Sequence, residues 1–382
     1  MITQLLDSLE DVSEADWDAA AIDSGPYLSY KWLRYEEQDP TATAKYVIVQ
    51  SAANGNIIAA SPCYLVVEEY NSNYNVADLL AETRQEVSRT LSSTVFGGAR
   101  RGYRNKIILR PGVSEDESRL AMSIVVDSLH SIANNWGHDT VWWMYLCESD
   151  ARFIADLENS FPILTKWDCS LHLAGNVFDD YLERLPQGIR NSVRREIRKY
   201  LAANRRIESL DLSSSTAEVA TLLEMTERRH GRDVSVPSLI DFLTRQAIGM
   251  KNDGEVTACY VGDTMINFCL TYDYGDSLWG RAAGNNRAFA NSYEYFYVTY
   301  YHQISRAFEL GKRALQFGPG SLRAKALRGA TISPLWSMAT PSMSGFNPDI
   351  ARRHKMFALD ETSKELEGLE SSMDLSGAVQ FS

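Results

Sequence analysis

The chain has no run of about 18 apolar residues among its 382, which excludes an ordinary membrane-spanning helix. Its opening, MITQLLDSLEDVSEADW, lacks the basic and apolar regions of a secretory signal. The six histidines include no H-x-x-x-H or H-E-x-x-H pair, so no metal site is expected. The five cysteines, Cys63, Cys147, Cys169, Cys259 and Cys269, form no C-x-x-C pair, and four lie in apolar, strand-like runs. An odd number of scattered thiols fits a reducing cytoplasm and not a disulfide framework. Net positive charge is also lacking. A formal charge of -12 argues against a general nucleic-acid binder. It leaves room for one basic patch that captures a phosphate-bearing ligand. The remaining composition, 45% hydrophobic and 23% charged, is that of an ordinary globular chain.

Basic charge is concentrated in one place. Seven basic residues fall between Arg190 and Arg206, inside FDDYLERLPQGIRNSVRREIRKYLAANRRI at 178–207. Ile189, Val193, Ile197 and Leu201 repeat at i, i+4, i+8 and i+12, the spacing of one helix face. Arg190, Arg194 and Arg198 repeat one position along. The pattern predicts a helix docked by an apolar stripe, with a cationic ridge beside it for something anionic.

Along the chain, residues 3–21 read as an acidic helix, and 45–49 and 57–67 as strands around the Asn54-Gly55-Asn56 turn. A helix is expected near 76–89, then a glycine-rich basic turn at 96–102. Residues 115–136 read as a helix with Leu120, Ile124, Leu129 and Ile132 on its buried side, closed by Gly137. The aromatic strand TVWWMYLC follows at 140–147. The second half opens with WDCSLHLAG, then the basic helix, then helices at 217–230 and 236–250. Strands at 256–261, 265–274 and 278–283 form a meander, followed by a long helix at 291–310 and a short strand at 314–317. The two halves repeat an order: ANNWGHDTVWWMYL matches AFELGKRALQFGP as helix, glycine, aromatic strand. This mixture of strands and helices is an α/β chain. Its boundaries are expected at 1–165, 166–357 and 358–382, the last a flexible acidic tail.

Residues 307–330, AFELGKRALQFGPGSLRAKALRGA, follow a hairpin, a third strand ending near Ala-Gly and a long helix, and this order resembles tandem-GNAT proteins. The basic segment and GPYLSYKWLRYEEQD at 25–39 are similar to elements of the same group. That group includes the Fem family of aminoacyl-tRNA-dependent peptidoglycan transferases. The resemblance implies two GNAT-like units in tandem, each a mixed sheet flanked by helices, and an N-acyltransferase activity. It implies no tightly bound cofactor, but a cosubstrate: acyl-CoA, an acyl-carrier protein or aminoacyl-tRNA. An acetyl-CoA-binding GNAT carries Gln/Arg-x-x-Gly-x-Gly/Ala after its fourth strand, cradling the pyrophosphate at a helix N-terminus. The matching stretch here, GNNRAFANS at 284–292, keeps Arg287 and a capping Asn291 or Ser292 but lacks the glycine pair.

An acyl ester or thioester is already activated. An enzyme need only hold a neutral amine against it, stabilise the oxyanion and protonate the leaving group. Candidate proton-handling residues are Tyr293, Asp273, Glu227 and His230. Candidate donor-binding residues are Arg190, Arg194, Arg195, Arg198, Arg287 and Asn291. Arg281 and Asn285 at the third strand's end, with Arg323 and Lys325 after the Gly318-Pro-Gly loop, are candidates for the acceptor. Each has a plainer reading: solvated surface charge for the cations, an aromatic core for the tyrosines, capping for Glu227 and His230. The expected partner is a small-molecule amine, with tRNA or a carrier protein as donor. The contrasting reading is a non-catalytic binding protein on a degenerate fold.

Overall fold

The computed structural model describes residues 1–79, 93–250, 253–289, 292–341 and 348–374. The first half runs β1 (Ile2–Leu6), α1 (Glu14–Ala21), α2 (Tyr30–Glu36), β2 (Ala42–Gln50), β3 (Ile57–Val66) and α3 (Val76–Leu79). It continues through β4 (Thr94–Gly97), β5 (Ile108–Leu109), α4 (Glu115–Asn135), β6 (Val141–Leu146), α5 (Glu148–Glu158) and β7 (Ile163–His172). Next come α6 (Phe178–Arg184), α7 (Gln187–Ala202), β8 (Arg206–Asp211), α8 (Leu212–Arg229), α9 (Val236–Gly249), β9 (Gly254–Val261), β10 (Thr264–Tyr274) and β11 (Ser277–Asn285). A short α10 (Glu294–Phe296), a π-helical turn (Tyr297–Tyr301) and α11 (His302–Glu309) form one continuous helix. The chain then gives β12 (Ala314–Gln316), α12 (Leu322–Ala326), β13 (Thr331–Thr340) and α13 (Pro348–Glu365).

The chain divides into two compact units, Met1–Asp168 with the segment from Ile332 on, and Cys169–Thr331. In the first, the strand order is β1-β2-β3-β4-β6-β13. β4 and β6 are parallel, with Phe96 opposite Trp142 and Gly97 opposite Trp143. In the second, the order is β7-β12-β11-β10-β9-β8, and β11 and β12 are parallel through Ser277–Ala314, Leu278–Leu315 and Trp279–Gln316. Both parallel pairs are built by the repeated helix–glycine–strand order. Gly137 (φ 80°) and Gly311 (φ 66°) end α4 and α11 in the left-handed conformation. Each helix closes the same way: His138 N–H bonds Ala133 O at 2.9 Å, and Lys312 N–H bonds Ala307 O at 2.8 Å.

Several elements differ from the sequence reading. Residues 2–6 form an edge strand against β2, so the N-terminal helix begins only at Glu14. The buried face of α4 is Met122, Val125, Val126, Leu129 and Ile132 with Ala121 and Ala133, while Leu120 is exposed. In α7, Val193 is buried and Ile189 and Ile197 are packed, but Leu201 is 60% exposed and Tyr200 is buried in its place. Successive i+4 steps each advance 400°, so three drift the stripe 120° around the helix; the i+3 step to Tyr200 restores the face. The expected second unit ended at 357, yet the segment from Ile332 belongs with the first unit, because β13 pairs β6 from Trp336–Leu146 to Thr340–Val141. The expected tail is also not wholly a tail: α13 runs to Glu365, and Met373 bridges Ile332. Most of the helix expected at 76–89, and residues 375–382, lie outside the described residues.

Candidate active site

In the second unit β12 stops at Gln316, and Phe317 N–H turns to Cys169 O at 2.8 Å, while β11 continues to Asn285. A Cβ on Gly280 would lie 3.2 Å from Gln316 O, so the strands are in close approach just before they part. Beyond Trp279 no strand among the described residues pairs that side of β11. At the same point the ladder to β10 is bulged. Leu270 opposes Ala282 and Thr271 opposes Gly280, leaving Arg281 as an extra residue. A bulge beside a splayed parallel pair re-aims backbone groups and side chains into the gap. Backbone N–H groups there are the kind of donor that stabilises an oxyanion.

Arg281 carries its guanidinium 5.9 Å from the Phe242 ring centroid. Asn285, at the end of β11, is opposite Asn267 of β10. Asn267 is fully buried, and neither its side-chain oxygen nor its nitrogen has a partner among the described residues; Asn285 Oδ1 is also unpartnered. The backbone carbonyl of Asn285 accepts from Arg229 Nη1 at 3.0 Å. Arg229 was not among the sequence candidates. Partial desolvation and the nearby Arg287 cation hold it below the ordinary arginine range. Neither arginine has a carboxylate partner among the described residues, so two like charges stand close at the end of β11. The sequence signal for Arg229 was only its place in TERRHGRD, where three arginines and a histidine obscure each other.

Helix α7 packs on the helix that follows β11. Val193, Ile189 and Ile197 pack with Tyr300, Tyr301 and Phe317, and Tyr200 stacks on Tyr297 at 3.8 Å. Its one acidic residue, Glu196, accepts from Arg328 Nη2 at 2.9 Å and from the Tyr301 hydroxyl. Arg328 is buried over the rings of Phe296, Tyr300 and Tyr301, at 4.1, 4.9 and 5.2 Å. Arg190 turns back to cap α6, donating to Glu183 O at 3.0 Å and Leu185 O at 3.1 Å. Arg194, Arg195, Arg198 and Lys199 are exposed, and none has a carboxylate partner among the described residues. Arg194, Arg195 and Arg198 face solvent on the outer side of α7. Lys199 alone leans inward, its Nζ 5.6 Å from the Tyr293 ring centroid.

Tyr293 precedes α10 in the left-handed conformation (φ 67°), a strained choice for an aromatic residue. The next residue, Glu294, is fully buried. Its Oε1 accepts from Arg205 Nε at 3.0 Å, and its Oε2 from Ser292 N–H at 2.8 Å. Asn291 lies outside the described residues.

Other candidates are placed elsewhere. Asp273 opposes Leu278 at the start of β11, some seven residues and roughly 20 Å of strand from Asn285. It is ion-paired with Lys312. A cavity of about 380 Å³ lies at that same remote end, lined by His172, Phe308, Lys312 and Arg313 among others. Glu227 pairs with Arg232, and His230 caps α8, its N–H on Glu227 O at 2.9 Å. Arg323 is exposed on α12. Lys325 is buried, and its ammonium donates to Phe317 O, Gly318 O and Pro319 O at 3.0, 2.7 and 2.9 Å. Those three bonds use all three of its protons, so Lys325 holds the loop and has none left for an acceptor carboxylate.

The first unit's parallel pair is closed. Asn105 fills the space after β4 and β6: its Oδ1 accepts from Ala99 N–H and Lys106 N–H, each at 2.9 Å, and its Nδ2 donates to Gly97 O at 3.1 Å. The basic turn beside it is neutralised from within. Arg100, without exposed side-chain surface, pairs with Asp39 at 3.3 Å and Glu69 at 3.1 Å, and Arg101 pairs with the same two acids.

A family model named FemAB-like, described as peptidoglycan biosynthesis/recognition, matches residues 8–372. No curated protein sequence matches. Among solved structures, FemX is similar with a TM-score of 0.62 and 12% identity, covering 90% of this chain and 98% of that one. A tandem GNAT protein from the clavulanic acid pathway gives 0.51 and 10%, covering 90% and 100%. A conserved protein of unknown function from Bacteroides thetaiotaomicron gives 0.52 and 11%, covering 88% and 99%. These identities speak to the fold: two GNAT-like units in one chain.

Proposed function

The chain belongs to the FemAB-like family and is an acyltransferase, and on that premise we propose that it moves an aminoacyl group from an aminoacyl-tRNA to a primary amine by direct attack. The observation that carries this reading is the outer face of α7. Arg194, Arg195, Arg198 and Lys199 are four exposed cations without carboxylate partners among the described residues, in a protein of net charge -12. Isolated cations cost little at a surface, but such a cluster in an acidic chain suits a polyanion.

In this reading the ester carbonyl enters the gap between β11 and β12. Its oxygen takes backbone N–H groups near the Arg281 bulge as charge develops. The neutral amine nitrogen attacks the carbonyl carbon, the carbon–oxygen ester bond breaks, and the tRNA hydroxyl leaves with a proton. Tyr293, beside Lys199, is the candidate that stands nearest the ridge. The acceptor is a small amine-bearing metabolite, a class that takes in the peptidoglycan precursors to which the family description points.

A second reading keeps the chemistry and replaces the donor by a coenzyme A or carrier-protein thioester. The observation favouring it is that Arg229 bonds the end of β11 within electrostatic reach of Arg287, two cations with no carboxylate partner among the described residues. The test supplies purified protein with a panel of amines and, separately, charged tRNAs, acyl-CoAs and acyl-carrier proteins. The tRNA reading expects transfer that RNase abolishes and that falls with salt, the log–log slope growing by roughly 0.7–0.9 per phosphate neutralised. Transfer with RNA absent replaces it with the thioester reading. Tight ligand binding without turnover from any donor favours a binding protein.

A further inference from the structure

The helix Glu294–Glu309 follows β11 in the chain, and Tyr295 near its start lies within electrostatic reach of Arg229, which bonds the last residue of β11. A helix N-terminus directs backbone N–H groups and partial positive charge outward, and so favours an anion. Here the chain supplies that anion itself. Glu294, at the first helical position and fully buried, folds back onto Ser292 N–H, and Arg205 closes over its other oxygen. The left-handed Tyr293 provides the turn that lets the carboxylate reach back. A diphosphate entering this place would meet a buried carboxylate, and it would have to break a desolvated ion pair to gain the same two donors.

We infer that Glu294 is a specificity-determining residue: its internal ion pair with Arg205 keeps diphosphate groups, and with them coenzyme A, off this helix terminus. The coenzyme implied by GNAT neighbours therefore does not fit in the ordinary way, and the donor's phosphates lie instead along α7, where Lys199 meets Tyr293. This last step rests on the proposed use of α7; the exclusion by Glu294 does not.

Calorimetric titration with inorganic pyrophosphate, and separately with coenzyme A, tests the exclusion. The native chain is expected to bind neither at millimolar concentration. Glu294→Gln removes the carboxylate charge and with it the ion pair to Arg205, so it should bind pyrophosphate at least tenfold more tightly than the native chain. Glu294→Asp keeps the charge and should remain as unresponsive as the native chain. One-to-one binding of coenzyme A or pyrophosphate by the native chain overturns the inference, whether or not the variants fold. So does identical behaviour of folded Gln and Asp variants, which marks Glu294 as merely structural. A native chain that uses charged tRNA yet binds coenzyme A sinks this inference and leaves the proposed function. One that binds neither coenzyme A nor tRNA does the reverse.

Discussion

Glu196, the only acid of α7, is held 2.9 Å from the buried guanidinium of Arg328. The pair fastens the basic helix to the segment that follows α12. Arg328 also bonds Ala324 O at 2.7 Å, and its own carbonyl accepts from the Tyr181 hydroxyl at 3.2 Å. Its one acid is thereby spent on Arg328, while Arg194, Arg195 and Arg198 on the same helix are exposed.

Breaking this pair from one side leaves a buried charge alone. Glu196→Ala should cost about 3–5 kcal/mol of stability. Adding Arg328→Met to that variant should recover part of the loss. Denaturant titration of the two single variants and the double variant gives the coupling energy. Additive losses contradict the pairing.

Lys325 acts on the loop and not on substrate, so Lys325→Met should lower stability. Three charged hydrogen bonds are lost and three carbonyls are left with fewer donors, a change of about 2–4 kcal/mol. An unchanged melting temperature with a raised acceptor KM would return Lys325 to the substrate site.

The ridge makes the opposite expectation. Arg194→Ala with Arg198→Ala should leave folding within about 0.5 kcal/mol, as for exposed charges with no carboxylate partner among the described residues. It should raise the donor KM and flatten the salt dependence by roughly 0.7–0.9 per lost phosphate contact. Unchanged kinetics remove α7 from the donor site.

Gly284 admits no side chain. A Cβ there would lie 2.4 Å from the Phe268 ring and 2.8 Å from the backbone of Leu222. Gly284→Ala should push α8 from the sheet, costing about 1–3 kcal/mol, and shift Arg229 away from Asn285. Denaturant titration reports the first effect and the donor KM the second.

Acid–base behaviour of the first unit has two opposed parts. Burial raises the Glu36 carboxyl above 4.5, against the lowering influence of Arg101 and Arg100. The folded chain then holds that proton longer than the unfolded one, so stability is lost as pH rises through the window above 4.5. Asp39 is opposed by its burial, yet Thr41 hydrogen bonds and the arginine cations bring it down to about 2. Its contribution is present above 3.8 and lost as pH falls toward 2. Glu36→Gln should therefore remove the alkaline-side loss while keeping the acid-side one, as read from thermal melts across pH.

Much of the architecture was legible from local chemistry. Gly137 and Gly311 announced helix ends because a left-handed residue favours glycine. The meander showed its turns at Gly262-Asp263 and Gly275-Asp276, and the basic helix its period. The site was less legible. Arg281 was named from its place at a strand end, but the bulge that singles it out depends on the pairing of β10 with β11. Asp273 and Tyr293 were both candidates for proton transfer, and only the tertiary structure pairs Asp273 with Lys312 and sets Tyr293 beside Lys199.

Residue type and spacing determined which segments became helices and strands, and that one helix would carry a cationic face, because these follow from neighbours a few positions apart. Tertiary structure decided which charges stayed available. Glu196 finds Arg328 across 132 residues, and Glu294 finds Arg205 across 89. Carboxylates so distant in sequence neutralise some arginines and spare others, and no local pattern encodes that choice.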